Sequence, residues 1–328
     1  MSYQTAKFSW TDDEYASFGT KPQVSQHSYH DLPLFREESL IDLLDNFPRK
    51  WLQAFTMGTD PVRNEEWKTV DIDLDTSGAD MWRAVQNGRL WLNITHIEEA
   101  SQAYADLIKA MYEQLDKHCP HLQGPKSAYS VLLISSPNAQ VYYHLDAEPN
   151  MLWHIRGQKK FWIYPEMDFR FAPQRFIEDI YAAEMDENLP YSAEFDEQAF
   201  HCVLNPGEVA SWPHNGPHRI QNIDMNVSLA TSYYTPTIYK RQYVQLANRH
   251  LLRNLGIKNR SIAENGAIPS LKRLSFRAIN KISPFKPGTG RADVYVTDLL
   301  LDPDSPLGIR KLAEAKPTVF SSYHNSTK

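Results

Sequence analysis

The chain has 328 residues, of which 42% are hydrophobic and 23% are charged, and its formal net charge is −6 at pH 7. A chain of this length and composition can bury a core without disulfides, and Cys119 and Cys202 form no CxxC pair, which excludes a disulfide framework and argues against a structural zinc site. It lacks an apolar run of about 18 residues and a signal-peptide pattern at its start. We therefore expect a soluble, cytoplasmic protein with no membrane contact.

Residues 1–124 show mixed patterns, and we expect a region of helices and strands that packs on a core formed by later residues. The stretch RLWLNI predicts a short strand. The stretch THIEEASQAYADLIKAMYEQLDKH predicts an amphipathic helix. Thr95 with Glu98 three residues later has the pattern of a capping box, which predicts that this helix begins after Thr95.

Residues 125–236 contain eight or so short runs rich in Val, Ile, Tyr and Trp, separated by Pro, Gly and Asn. Short strands without helical spacers indicate an antiparallel sandwich or barrel, and so a mainly β core. The acidic stretch at about 166–200 is the exception, because RFIEDIYAAEM predicts a helix inserted between strands.

Residues 237–328 return to helical patterns, in IYKRQYVQLANRHLLRNLGI and SLKRLSFRAINKI. We expect TDLLLDPDSPLGIRKLAEA to form a short docking helix before a loose tail. Eleven Lys and Arg lie between residues 237 and 286 against the single acid Glu264. They fit the solvated face of helices, facing the acidic stretch or a second subunit, better than a nucleic-acid site, because no motif that reads a nucleic-acid groove is present.

The sequence His144-Leu145-Asp146 follows one of the predicted strands. Residues two apart on a strand point to the same face, so His144 and Asp146 would present an imidazole and a carboxylate side by side. Two such His-x-acid triplets occur in the chain, about the number that chance gives, so the tripeptide alone is weak evidence. His218 begins a later strand after a Pro-Gly turn and a further turn. Together the three residues predict a two-His, one-carboxylate metal site.

The spacing around these residues resembles the cupin-fold oxygenases of the JmjC type, most closely their asparaginyl hydroxylase branch. An HxD motif is followed by Asn six residues after the His and by Lys fifteen residues after it: His144, Asp146, Asn150 and Lys159. The later stretch is similar to the second cupin motif, with Gly207, Pro213, His218 and Asn222. Gly216 lies one position later than is common in that motif. The resemblance covers about 110 residues and implies a double-stranded β-helix with N-terminal α/β elaboration and C-terminal helices.

The resemblance also implies the chemistry of the site. His144, Asp146 and His218 would bind Fe(II), and Lys159 would pair with the distal carboxylate of 2-oxoglutarate, with dioxygen as the second cosubstrate. A buried carboxylate needs such a cation to offset its desolvation. In the resembled hydroxylases the C-terminal helices form a homodimer, and we expect the same of residues 237–328.

One position departs from the family. The Thr or Ser that usually lies three residues before the first His is Val141 here. Tyr142, which would share the face of His144, or Tyr129 would supply a hydroxyl instead, unless both are core aromatics. Asn150 either orients the site or shapes a turn. Further pocket candidates that also fit structural roles are His214, Trp212 and Asn222.

The leading hypothesis is an Fe(II)- and 2-oxoglutarate-dependent dioxygenase that hydroxylates a protein side chain or a small molecule. The second is a metal-binding cupin without 2-oxoglutarate. The third is a cupin-fold binding or regulatory protein that uses the basic residues 237–286. The sequence leaves the substrate open, because fold does not determine substrate.

Overall fold

Two antiparallel sheets form the centre of the fold in the computed structural model, which describes residues 8–185, 187–282, 284 and 294–319. The larger sheet has the strand order β1-β10-β7-β12-β5-β4-β2-β3, and the smaller has β6-β11-β8-β9. The strands are β1 Gln23–Gln26, β2 Leu52–Thr56, β3 Thr69–Val70, β4 Leu90–Thr95, β5 Lys126–Ser135, β6 Gln140–His144, β7 Asn150–Arg156, β8 Lys159–Ile163, β9 Phe200–Leu204, β10 Glu208–Ser211, β11 His218–Asn222, β12 Asn226–Tyr234, β13 Val294–Leu301 and β14 Ile309–Val319. The predicted mainly β, antiparallel core is confirmed.

The α-helices of the described residues precede, interrupt and follow this core. They are α1 Asp12–Ser17, α2 Glu37–Asn46, α3 Gly78–Asn87, α4 Ile97–Ala100, α5 Gln102–His118, α6 Gln174–Tyr181, α7 Pro236–Ala247 and α8 Ala267–Ile282. A π-helical stretch, Asn248–Arg253, continues α7. None of the helices in the described residues combines the length and the apolar character needed to cross a bilayer.

The space between the two sheets is filled by side chains from both. Leu152 and Ala230 of the larger sheet pack there with Phe161, Ile163 and Ile220 of the smaller one. The other face of the larger sheet is covered by the N-terminal helices, whose apolar side chains pack against residues such as Trp153 and Leu132. Since side chains alternate along a strand, the central strands β5, β7, β10 and β12 of the larger sheet contribute to both cores.

The N-terminal region does more than pack on the barrel. Strand β1 pairs with β10 at one edge of the larger sheet, and β4, β2 and β3 extend the other edge beyond β5. The predicted capping box is wrong. Thr95 is the last residue of β4, its hydroxyl donates to the Trp51 carbonyl at 3.0 Å, and His96 in the left-handed conformation (φ 55°) leads into α4. Strand pairing therefore overrides the local capping signal.

The C-terminal region is only partly helical, so the expectation of a helical region over residues 237–328 is corrected. Where a docking helix was expected, β13 and β14 form an antiparallel hairpin. Its backbone pairs with residues beside β3, since Leu301 N donates to Asp71 O at 2.9 Å and Asp71 N donates to Leu299 O at 2.9 Å. The free edge of β3 supplies these partners, which local helix propensity cannot anticipate. The expected tail, residues 320–328, lies outside the described residues.

Helix α6 lies within the predicted acidic stretch, between β8 and β9, and it faces the basic C-terminal segment. The Glu178 side chain is fully buried, and Arg260 approaches it with both Nε–Oε1 at 2.8 Å and Nη2–Oε2 at 2.9 Å. Arg249 and Arg253 pair with Asp179. These three arginines of the basic segment therefore neutralise acids of their own chain.

Candidate metal centre

The two histidines and the aspartate of the predicted metal site come together at one end of the barrel. His144 is the last residue of β6, Asp146 follows in the loop, and His218 is the first residue of β11, directly opposite His144 in the strand ladder. His144 Nε2 lies 3.8 Å from Asp146 Oδ1, and His218 Nε2 lies 3.6 Å from Asp146 Oδ2. One ligand atom from each residue falls within 4.8 Å of the others. One divalent ion placed among them would reach all three.

The backbone orients both imidazoles towards that point. His144 Nδ1 lies 2.7 Å from the carbonyl of Tyr142, and His218 Nδ1 lies 3.1 Å from the carbonyl of Gly216. A carbonyl only accepts, so each Nδ1 carries the proton and each Nε2 keeps its lone pair for a metal. This is the arrangement that metal-ligating histidines commonly have.

The electrostatics of the three groups also fit a cation. Burial lowers the pKa of His144, and burial together with neighbouring His144 lowers the pKa of His218 well below its ordinary value, so both rings are neutral. Burial, reinforced by the negative charge of Glu187, raises the pKa of Asp146 well above its ordinary value. Asp146 Oδ2 is buried and has no hydrogen-bond partner in the described residues. Two neutral imidazoles and a carboxylate lacking a counter-charge form a donor set that suits a divalent metal such as Fe(II).

A β-bulge beside the site changes which residues face the barrel. His218 pairs with His144, but Ile220 pairs with Val141, so β6 has one more residue than β11 over this interval. Val141 therefore packs against the barrel interior. Tyr142 does not share the face of His144, and that prediction is wrong. Its hydroxyl accepts a hydrogen bond from the Gly58 N–H at 2.9 Å.

Lys159 is buried inside the barrel, with 3% of its surface exposed. Its ammonium donates to the hydroxyl of Ser228 at 2.9 Å, which is the only polar contact of that group in the part of the chain described. Burial lowers the pKa of Lys159 to about 7. On β8 and β11, Lys159 pairs with Asn222, four positions along the ladder from the pair of Ile163 with His218. The lysine and the metal ligand therefore lie on the same interior face.

Two further candidates lie close to the ligands. The Asn150 side chain hydrogen-bonds with the Asp146 carboxylate, which opposes the rise in that pKa, and Asn150 Oδ1 also accepts from the Met151 N–H at 2.9 Å. Burial raises the pKa of Tyr129 well above its ordinary value, and the charge of Asp146 adds to this rise. Tyr129, on β5, remains a candidate hydroxyl, whereas the hydroxyl of Tyr142 is bonded to Gly58.

The remaining candidates have structural partners. Trp212 packs beside His218, with ring centroids 4.7 Å apart, and fills the barrel with Phe161. The Asn222 side chain donates to Ser135 Oγ and to the Ser136 carbonyl, both at 2.8 Å, and so holds the loop after β5.

His214 belongs to a hydrogen-bond network that joins the two ligand-bearing loops. His214 Nε2 lies 2.8 Å from the Ala147 carbonyl and 2.7 Å from the hydroxyl of Tyr181 at the end of α6. Tyr181 also donates to Asn215 Oδ1 at 3.1 Å, and Asn215 Nδ2 donates to the Asp146 carbonyl at 3.3 Å. Sequence reasoning missed Tyr181 and Asn215, because nothing in the motif spacing points from the inserted helix to the ligands.

Residues 77–239 match the family model of the cupin-like domain. The matched range begins well before residue 125, where the sequence placed the start of the β core. It therefore includes β4, one of the N-terminal strands that extend the larger sheet. The cupin-like architecture predicted for the barrel is therefore confirmed.

A curated relative and two solved structures are similar to the chain. The tRNA wybutosine-synthesizing protein 5 of Danio rerio is 30% identical over 128 residues, which are 36% of this chain and 38% of that protein. The matched segment is thus well under two thirds of that relative. The X-ray structure of E. coli YcfD has a TM-score of 0.50 and 12% identity, with 86% of this chain and 71% of that chain covered. A structure of YcfD described as a ribosomal oxygenase, in complex with cobalt and 2-oxoglutarate, has a TM-score of 0.49 and 12% identity, with 86% and 70% covered. At this identity the likeness to YcfD concerns the fold alone.

Proposed function

We propose that the chain is an Fe(II)- and 2-oxoglutarate-dependent oxygenase that hydroxylates a protein side chain or a small molecule. The observation that carries the proposal is the convergence of His144 Nε2, His218 Nε2 and the Asp146 carboxylate in a barrel that also buries the ammonium of Lys159. A facial set of three ligands leaves open positions on a metal for a chelating cosubstrate and for dioxygen.

The residues of the chain have separable roles in this proposal. Bound Fe(II), with 2-oxoglutarate and dioxygen, would supply the oxidising chemistry, in which the 2-oxo acid becomes succinate and carbon dioxide and a substrate C–H bond is hydroxylated. The carbonyls of Tyr142 and Gly216 hold the two imidazoles in the metal-binding tautomer. The barrel wall of Phe161, Trp212 and Ile220 excludes water from the space between the sheets.

Lys159 and Ser228 would bind the distal carboxylate of the cosubstrate. Four ladder positions correspond to about 13 Å along the strands. A lysine side chain and a five-carbon dicarboxylic acid together bridge such a span. Among the described residues, the buried ammonium of Lys159 contacts a single hydroxyl, and a buried charge with so few partners is electrostatically costly. A bound carboxylate would neutralise this charge. Val141 offers no hydroxyl to this ligand, so Tyr129 is the remaining candidate for that contact.

The test is an anaerobic visible-absorption titration of the full chain with Fe(II) and then 2-oxoglutarate. We expect a weak metal-to-ligand charge-transfer band that needs both additions. His144→Ala should abolish it, and Lys159→Ala should shift it to higher 2-oxoglutarate concentrations. Matched controls are His201→Ala, whose ring stacks on Trp162 on β8, and Lys160→Ala on the same strand as Lys159. Both controls should behave as the wild type.

The absence of a band despite tight metal binding would overturn the cosubstrate part of the proposal and favour a metal cupin without 2-oxoglutarate. The absence of metal binding would overturn the whole proposal and favour a cupin-fold binding protein.

A further inference from the structure

A groove between α7 and α8 has a lining unlike the rest of the basic segment. It encloses a cavity of about 450 Å³, and its lining residues are Pro236, Tyr239, Lys240, Tyr243, Arg273 and Arg277. Three of these carry positive charge, two are aromatic and none is acidic. The groove therefore combines cations with aromatic rings in one open cleft.

Among the residues that the structure describes, the three cations of the groove have no acidic partner, unlike four other arginines of the basic segment. Arg241 pairs with Glu264, and the arginines of the following segment pair with acids of α6 and the residues after it. Over the described ranges, by contrast, Lys240, Arg273 and Arg277 form no ion pair with a carboxylate. Arg273 donates instead to Ser270 Oγ at 3.0 Å and to a backbone carbonyl, and Arg277 lies over the ring of Tyr243 at 4.6 Å. The ion pairs that neutralise Arg241, Arg249, Arg253 and Arg260 do not extend to these three residues of the groove.

The aromatic rings of the groove are accessible and oriented. Tyr239 is 45% exposed and stacks on Tyr234, with ring centroids 5.0 Å apart and an interplanar angle of 12°. The Tyr234 hydroxyl donates in turn to Glu148 Oε1 at 2.8 Å, two residues after the metal ligand Asp146. Two stacked rings and one hydrogen bond thus connect the groove to the loop that carries Asp146.

We propose that this groove binds single-stranded nucleic acid. Phosphates would lie against Lys240, Arg273 and Arg277, and a base would stack on the exposed ring of Tyr239, since an aromatic ring beside a cationic track is the usual means of holding a single strand. Each base has a flat face, so the site tolerates different sequences. The proposal goes beyond the oxygenase function, because this binding requires neither metal nor 2-oxoglutarate.

The test is fluorescence anisotropy of a labelled 15-nucleotide single strand, as RNA and as DNA of the same sequence, with the full chain in chelator at several salt concentrations. We expect a Kd on the order of 1–100 µM near physiological salt. Tyr239→Ala should weaken binding about tenfold through lost stacking, and Tyr239→Phe should bind as the wild type does. The double variant Lys240→Gln/Arg277→Gln should weaken binding and flatten the salt dependence by about 1.4, from two phosphate contacts at about 0.7 each.

The charge-matched control is Lys117→Gln/Lys258→Gln, which removes two exposed cations outside the groove. Equal losses in this control and in the groove variant would overturn the proposal in favour of diffuse charge attraction. A duplex that binds as tightly as the single strand would also overturn the proposal. So would displacement of the single strand by heparin or polyglutamate if Tyr239→Ala has no effect on binding. Each result would show a site that recognises charge without base stacking. A change of oligomeric state in the groove variants would assign the groove to a contact between copies of the chain instead.

Discussion

The buried ammonium of Lys159 would make the proposed cosubstrate site sensitive to pH. Its pKa is lowered to about 7 by burial, so the group is largely charged below pH 7 and largely neutral above it. A bound carboxylate favours the charged form and raises this pKa. Binding a dicarboxylic acid therefore takes up a proton above pH 7, and the affinity falls as the pH rises through that value.

We expect the Kd of 2-oxoglutarate to rise about tenfold between pH 6 and pH 8 in metal-saturated wild-type protein, because Lys159 must be protonated for binding. Calorimetric titration with Mn(II) in place of Fe(II) measures this without turnover. Lys159→Arg keeps its charge across the range and should give a flat profile. A flat profile in the wild type would show that Lys159 does not contact the ligand.

Among individual residues, the candidate metal ligands could be predicted from the sequence, but the residues around them could not. The spacing of His144, Asp146 and His218 relies on the regular geometry of strands, and the structure has these three side chains together. Tyr142 was assigned to the wrong face because the bulge in β6 shifts the alternation by one residue, and a bulge has no signature in this stretch. Ser228, the partner of Lys159, lies in a strand with several small polar residues that look alike in sequence.

Helix α6 contacts the candidate metal centre through its last residue, Tyr181. Tyr181 holds His214 and Asn215, and these two hold the backbone of the Asp146 loop. Asn215 has a left-handed backbone (φ 64°), which asparagine tolerates better than most residues. The inserted helix thus positions the loop that carries the candidate metal ligand Asp146.

Tyr181→Phe should weaken metal affinity up to about tenfold, because groups that hold metal ligands commonly contribute that much. The free energy of unfolding should fall by about 1 kcal/mol through the lost hydrogen bonds. Competition with a fluorescent chelator and urea unfolding measure the two effects. Tyr191→Phe, which removes a hydroxyl bonded to Asp196 at 2.9 Å, is the control and should leave metal affinity unchanged. Equal metal affinity in all three proteins would remove the positioning role.

Elements were predicted well where their partners are local. The α6 helix follows from its own periodicity, whereas the β13–β14 hairpin depends on the edge of β3, more than 200 residues earlier in the chain. The helix start at Thr95 failed for the same reason, since β4 continues through Thr95 along β5. Predictions from local sequence fail where a strand distant in the chain pairs with the same backbone groups.

At the scale of the whole molecule, α8 leaves one face without a partner in the described residues. Phe276 packs against the cluster around α6, while the opposite side exposes Ile268, Leu271, Leu274, Ile279 and Ile282. A contiguous apolar face of this kind usually marks an interaction site. We propose that it joins two copies of the chain in a homodimer, which stays a prediction.

Sedimentation equilibrium at micromolar concentration should give twice the mass of one chain. Leu271→Lys/Leu274→Lys should give a monomer, because two charges would be desolvated at the centre of the contact. Leu74→Lys, which alters a leucine that is 83% exposed elsewhere on the surface, should remain dimeric. A wild-type monomer under these conditions would contradict the proposal.

The ion pairs that hold α6 also set an order of events during synthesis. Asp179 precedes Arg249 by 70 residues, and Glu178 precedes Arg260 by 82. At ribosomal rates of 5–20 residues per second, α6 is synthesised about 4 to 16 s before the arginines that pair with its acids. All barrel strands are made before the helix that positions the Asp146 loop can dock. If the proposed site binds iron, capture of the metal is expected to follow the emergence of the C-terminal helices from the ribosome, rather than the completion of the barrel itself.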